Sequence, residues 1–251
     1  MGSTQKLAVS YALLNKAIQH SYFKRLMSFL DIKPGSKCLD IGCGAGNNTA
    51  YLADKIGKKG FVTGIDPDEH RINIAKKEYQ RENVDYIIGK STSLPEQSGG
   101  YDLVISNCVM HWIEHNEKIQ TYERVQKLLK ESGVLAICEV ASVPQSMGAF
   151  FPALSPEQRN AFNGHFLTID ENRAIFNALG FQIVKMEPFE PITKFQSLDD
   201  FLSWSTATTN DENVDYHKLY EDNKGIIDIP INCDGTVDVN HNLNYIIANK
   251  K

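Results

Sequence analysis

Three glycines within five residues, Gly42, Gly44 and Gly46, follow the apolar run Lys37-Cys38-Leu39-Asp40-Ile41 and precede a helical stretch from Asn48 to Ile56 that ends near Gly57. Strand, tight loop and helix in this order restrict the fold sharply, because such glycines let backbone approach a ligand at the carboxyl edge of a parallel sheet. The alternation then repeats. Phe61 to Ile65, Val84 to Ile88, Tyr101 to Ser106 and Val134 to Val140 read as strands, and Pro67 to Tyr79 and Glu117 to Lys130 as helices. Strands alternating with helices imply right-handed crossovers, hence an α/β fold with a mostly parallel sheet and helices on both faces.

Upstream, apolar residues recur at helical spacing from Leu7 to Leu30 and stop at Ile32-Lys33-Pro34-Gly35. Downstream of Val140 the rhythm changes, since Ala141 to Phe166 carries Pro144, Gly148, Pro152, Pro156 and Gly164 among aromatics. This reads as a covering segment, with Phe150, Phe151, Phe162 and Phe166 available to close a site. A helix from Asp170 to Leu179, a long strand from Phe181 to about Phe195, a helix from Leu198 to Thr206 and a last strand from Val237 to Ala248 follow, the two strands pairing antiparallel. With 251 residues the expectation is one domain, 1–251: a helical cap (1–34), a ligand-binding core (35–140), covering and substrate-side elements (141–235) and a final strand (236–251).

Twenty-six basic against 31 acidic residues leave a net charge of −5, without the positive excess that phosphate neutralisation requires, so nucleic acid is not expected as a partner. No stretch approaches 18 apolar residues, so no membrane span is expected. Five cysteines without a CxxC pair suggest neither a disulfide framework nor a metal site. Met1 to Leu7 lacks signal-peptide organisation, and Lys6 stands where myristoylation needs Ser or Thr, which together favour a cytoplasmic protein. The sequon Asn47-Asn48-Thr49 lies inside the glycine loop and is accidental.

The loop's ligand follows from its charge. A dinucleotide fingerprint G-x-G-x-x-G would end on Asn47, so the spacing fails. Asp40 would also repel a pyrophosphate, whereas it suits an ammonium or sulfonium centre. Twenty residues past Gly46, Asp66 ends the second strand, where its carboxylate can accept two hydrogen bonds from a ribose diol. Asp66-Pro67 also reads as a helix N-cap with proline at the first helical position.

Asp40 to Gly46 together with Asp66 resembles the class I S-adenosylmethionine-dependent methyltransferases, and the similarity continues through Gly89 to Pro95, Tyr101 to Asn107 and Gly133 to Val140. The resemblance implies a Rossmann-like sheet of seven strands with an antiparallel final strand. It also implies that S-adenosyl-L-methionine is held by Asp40, Gly42, Cys43, Gly44, Gly46, Asp66, Pro67, Lys90, Ser91 and Asn107. Lys90 departs from the family, which often has Asp there, so a backbone or Ser91 contact would replace the carboxylate on the adenine.

Ser106-Asn107-Cys108-Val109-Met110-His111-Trp112 lacks the Asn-Pro-Pro-Tyr-like signature of amide and exocyclic-amine methylation and instead resembles trans-aconitate, juvenile hormone acid and malonyl-acyl-carrier methyltransferases, which methylate carboxylates. Asp200 to Thr208, Asp234-Gly235-Thr236 and Tyr245 to Lys250 extend the likeness to the first group. The implied substrate is a small carboxylic acid, the enzyme a monomer or homodimer. In the hormone-acid enzymes the counterparts of Trp112 and Gln19 bind the carboxylate. Trp112 can equally be a core aromatic and Gln19 a surface residue. His111 or His20 would serve as base if the acceptor were a phenol or amine, and Cys43 and Cys108 read as small packing residues. A non-catalytic cofactor-binding subunit is the alternative of a different class.

Overall fold

The computed structural model describes residues 4–96, 100–162, 164–209 and 214–251, with side chains for all of these except 160–162. Its centre is β1 (Lys37–Ile41), buried from Cys38 onward as expected of a strand covered on both faces. β2 (Phe61–Asp66) and β4 (Tyr101–Asn107) flank it in parallel, with Asp40 opposite both Gly64 and Ile105. Outside these lie β3 (Val84–Ile88) beside β2 and β5 (Leu129–Ser142) beside β4, both parallel. β6 (Phe181–Phe189) and β9 (Asn242–Lys250) complete a seven-stranded sheet of order β3-β2-β1-β4-β5-β9-β6, in which β9 runs antiparallel to both neighbours. The mostly parallel sheet with an antiparallel final strand is the one expected.

Helices cover both faces. Phe23 and Leu26 of α1 (Gln5–Ser28), Leu52 and Ile56 of α2 (Asn47–Ile56) and Ile72 of α3 (Glu69–Glu78) pack in one core. Tyr122 of α4 (His115–Leu128) and Phe176 of α7 (Ile169–Ala178) pack in the other. α7 starts at a capping box in which Thr168 and Glu171 exchange hydrogen bonds, satisfying two otherwise orphaned donors.

The long strand expected from Phe181 to Phe195 is two strands in two sheets. Pro191 has no N–H for a ladder, so the chain leaves the large sheet after Phe189 and re-pairs as β7 (Ile192–Phe195). The last strand divides likewise into β8 (Val237–Asn240) and β9, and β8 pairs antiparallel with β7 in a two-stranded sheet. That small sheet, α8 (Leu198–Thr209), α9 (Tyr216–Asp222) and the covering segment share a third core around Phe150, Phe201, Trp204 and Tyr216. The covering segment contains the short helices α5 (Gln145–Gly148) and α6 (Pro156–Phe162). No described helix is long and apolar enough to cross a membrane.

Because the chain builds β1, β2 and β3 outward and then returns to place β4 on the other side of β1, the connections part at the carboxyl ends of β1 and β4. Open α/β sheets bind ligands at such a point.

Candidate functional site

The glycine loop sits at that point, and its three glycines have separate reasons to be glycine. All have positive φ, +72° at Gly42, +54° at Gly44 and +90° at Gly46. A Cβ on Gly42 would lie 2.2 Å from a methyl of Val109, and one on Gly46 would lie 2.7 Å from the Ala75 Cβ. These two let the loop close on the turn after β4 and on α3. A Cβ on Gly44 would meet nothing within 4 Å, so this glycine opens onto the crevice.

Asp66 ties the loop to α3: Gly44 N–H donates to Oδ2 (3.0 Å) and Asp68 N–H to Oδ1 (2.9 Å). Each oxygen retains capacity, so the carboxylate can still accept from a pair of hydroxyls. Burial raises its pKa, and the nearby Arg71 guanidinium opposes that rise. Asp40 is 3% exposed and accepts a 2.6 Å hydrogen bond from the Thr49 hydroxyl. Burial, reinforced by the charge of Asp66, pushes it up to about 6. Two buried acids here penalise an anionic ligand and favour a cationic one.

The remaining loop residues modify the sequence reading. The cap of α3 is Asp68, which accepts from His70 N and Arg71 N, so Pro67 stands before the helix, not at its first position. The Asp66 carboxylate is already engaged by backbone donors and leaves capping to Asp68. Cys43 is buried against Gly64, and burial pushes its thiol well up, the state of a packing residue. Lys90 is exposed and its carbonyl accepts from Ser93 N (3.0 Å). The Ser91 hydroxyl accepts from Thr121 on α4 (3.0 Å). Asn107, ending β4, donates from Nδ2 to the Gln19 carbonyl (3.2 Å), while its buried Oδ1 has no partner among the described residues. The open cradle at Gly44, the paired acids and this orphaned acceptor fit a nucleoside carrying an ammonium and a sulfonium.

α1 roofs the crevice. Tyr11 stacks on the Arg71 guanidinium (4.0 Å to the ring centroid), and its hydroxyl accepts from Gln19 Nε2 (2.6 Å). His20 instead faces α2, its Nδ1 2.9 Å from Asn48 Oδ1 and its ring edge-on to Tyr51, and it does not line the cavity described next. As a candidate base it is therefore out of place.

Beside the crevice lies a cavity of about 100 Å³. Since one water needs about 10–15 Å³ of such space, this admits a small molecule. Gln19, His111 and Trp112, far apart in sequence, all line it, with Cys108 and Phe166 beside them. None of its described lining residues is Asp, Glu, Lys or Arg. Trp112 is 43% exposed on the turn after β4, which excludes the core-aromatic reading, and no hydrogen-bond partner of its indole exists among the described residues. His111 is buried and stacked on Phe166 (6.2 Å, 10°), and its Nδ1 has no hydrogen-bond partner among the described residues. Burial and the Lys118 charge hold its pKa down at about 3.

Cys108 packs in the first core, as expected, and also lines the cavity, with φ +58°, a left-handed conformation that costs a non-glycine residue about 1–2 kcal/mol. Of the covering aromatics, Phe166 lines the cavity, whereas Phe150 is sealed in the third core between Phe201 and Tyr216. Phe151 is half-buried against that core, and the Phe162 side chain lies outside the described residues. The far wall draws on α8, within the substrate-side elements expected over 141–235, but its anchor on α1 was not anticipated: Asn15 accepts from Trp204 Nε1 (2.9 Å) and donates to Thr208 (3.2 Å), fastening α1 to α8, with Tyr22 and His241 alongside. Asn15 and Trp204 are 189 residues apart, and no local pattern marks them as partners.

Residues 32–196 match the family model described as a methyltransferase domain. The arsenite methyltransferase of Halobacterium salinarum is 28% identical over 176 residues, covering 68% of this chain and 43% of the relative. The demethylmenaquinone methyltransferase of Staphylococcus carnosus is 26% identical over 211 residues, covering 74% and 86%. The chain thus spans less than half the length of the arsenite enzyme it matches. A putative methyltransferase structure from Bacillus halodurans superposes with a TM-score of 0.66 at 16% identity, over 92% of this chain and 99% of that one. The chain belongs to the methyltransferase-domain family.

Proposed function

We propose that, within this family, the enzyme transfers methyl to a carboxylate oxygen of a small, largely apolar acid and releases a methyl ester. The observation that carries the reading is the pairing of two neutral donors, Gln19 and Trp112, on a cavity whose described lining holds no charged side chain. Gln19 keeps a second amide hydrogen beyond the one it gives Tyr11, and the Trp112 indole N–H is free to donate among the described residues. These groups hold an anion without neutralising it, which preserves its nucleophilicity.

Cofactor contacts are assigned to Asp66 for the ribose, Asp40 and Asn107 for the cationic end, the Gly42–Gly46 backbone, and the Pro67 and Lys90–Ser91 segments on the adenine side. When bound, the cofactor supplies an electrophilic methyl on a sulfonium. The protein's work is alignment and exclusion of water, which eases the combination of an anion with a cation. A carboxylate, with pKa near 4, needs no base at neutral pH. His111 suits that role of bystander, because an imidazole held at about 3 draws a proton poorly from a phenol or amine. We also assign the enzyme to the cytoplasm, as a monomer or homodimer acting on a free metabolite; its five cysteines are all free thiols.

A second reading, methylation of a phenol, amine or ring carbon, draws on the His111 Nδ1, which has no partner among the described residues. A competition among carboxylic acids, phenols and amines with methyl-labelled cofactor separates the two. Acids are expected to dominate the labelled products; label confined to phenols or amines overturns the carboxylate assignment.

A further inference from the structure

Among the polar residues lining the cavity is His241. This residue is the single link between β8 and β9, and its N–H donates to the Pro191 carbonyl (2.9 Å) at the matching break between β6 and β7. Its backbone is therefore fixed where both strands change sheet. The ring is wedged edge-on between Tyr22 (5.7 Å, 64°) and Trp204 (5.7 Å, 84°), 5% exposed, and lines the cavity. Its Nε2 has no hydrogen-bond partner among the described residues. In the sheet order β4-β5-β9, β9 lies two strands from β4, after whose end His111 and Trp112 follow in a short turn.

We propose that His241 recognises a neutral hydrogen-bonding group, a carbonyl or hydroxyl, at the end of the acceptor acid remote from its carboxylate, and so sets the enzyme's choice among acids. The inference rests on the carboxylate reading above. A molecule that fills the cavity without a polar atom against Nε2 leaves a buried nitrogen unpaired, a penalty worth about five- to 150-fold in affinity. A charged tail meets the opposite problem, since the described lining holds no Asp, Glu, Lys or Arg to pair it. Burial also keeps the imidazole at about 4, so at neutral pH it presents one lone pair or one N–H and no charge.

Four probes of similar length decide the matter: hexanoate, 5-oxohexanoate, 6-hydroxyhexanoate and adipate. The native enzyme is expected to methylate the oxo or hydroxy acid with kcat/KM about five- to tenfold above hexanoate, and adipate least. His241→Phe should erase the preference for oxygenated acids over hexanoate, and His241→Gln should restore part of it. Calorimetric binding of methyl hexanoate and methyl 5-oxohexanoate to the cofactor-loaded protein reads the same discrimination without chemistry. If no acid is methylated, the carboxylate reading fails, and the ester pair still tests His241. Equal treatment of oxygenated and plain probes by the native protein, or a preference that survives in His241→Phe, overturns the inference. Melting temperatures identify a variant that has not folded, in which case His241→Gln alone decides: a preference reduced yet present upholds the role, an unchanged one removes it.

Discussion

Alanine at Gly44 and at Gly42 should damage the enzyme in opposite ways. Both residues have positive φ, so each substitution costs about 1–2 kcal/mol of backbone strain. At Gly44 the new methyl meets no protein atom within 4 Å and projects into the crevice assigned to the cofactor. Stability should fall only by the strain, about 2–8 °C in melting temperature at this chain length. Cofactor affinity should fall about five- to 150-fold, the range expected when a methyl is forced into a close-packed contact. At Gly42 the methyl would lie 2.2, 2.6 and 2.9 Å from three atoms of Val109. Overpacking adds about 1–3 kcal/mol, for a total of about 2–5 kcal/mol and a fall of about 4–20 °C. Thermal unfolding and calorimetry with S-adenosylhomocysteine on both variants read the two effects. A Gly44→Ala protein that binds the ligand as tightly as the native one would show that the crevice does not lie against Gly44. A Gly42→Ala protein as stable as Gly44→Ala would refute the role given to Val109.

Trp112→Phe should lower kcat/KM about ten- to 150-fold, the worth of a hydrogen bond to a charged group, with cofactor affinity unchanged; because Trp112 is 43% exposed, even Trp112→Ala should melt within a few degrees of the native enzyme. A fully active Trp112→Phe enzyme retires the donor. Asp40, raised from 3.8 to about 6, holds its proton below that pH, so affinity for S-adenosylmethionine should climb with pH, by up to about tenfold per unit, and level off above about 6. The same shift predicts the reverse for Asp40's contribution to the stability of the ligand-free fold, which is fully present below 3.8 and lost as pH rises through about 6; Asp40→Asn should remove both dependences.

The cofactor side was largely legible in the sequence because its chemistry is local. Asp40, three glycines and the strand ends are set by short-range steric and charge requirements, and the alternation from Phe61 to Val140 needs only period and punctuation. Pro67 was misjudged as the start of a helix because competition between Asp66 and Asp68 for backbone donors is visible only once Gly44 is seen to claim Asp66. The breaks at Pro191 and His241 lie inside runs of strand-forming residues, and pairing with distant partners decides where each run divides. The cavity's far wall was the least legible part, since Asn15 and His241 meet Trp204 across long stretches of chain and not through any sequence spacing.

The central claim, that the methyl lands on a carboxylate, is tested most directly by the chemistry of the product. Incubating the enzyme with S-adenosylmethionine tritiated in the methyl group and a small-molecule extract of cells, then treating the products with mild alkali, separates esters from every other methyl acceptor. The account predicts that most transferred label is released as volatile methanol, and that Trp112→Phe lowers this yield. Label that stays bound through the alkaline step, as an ether, amine or carbon-attached methyl, would contradict it.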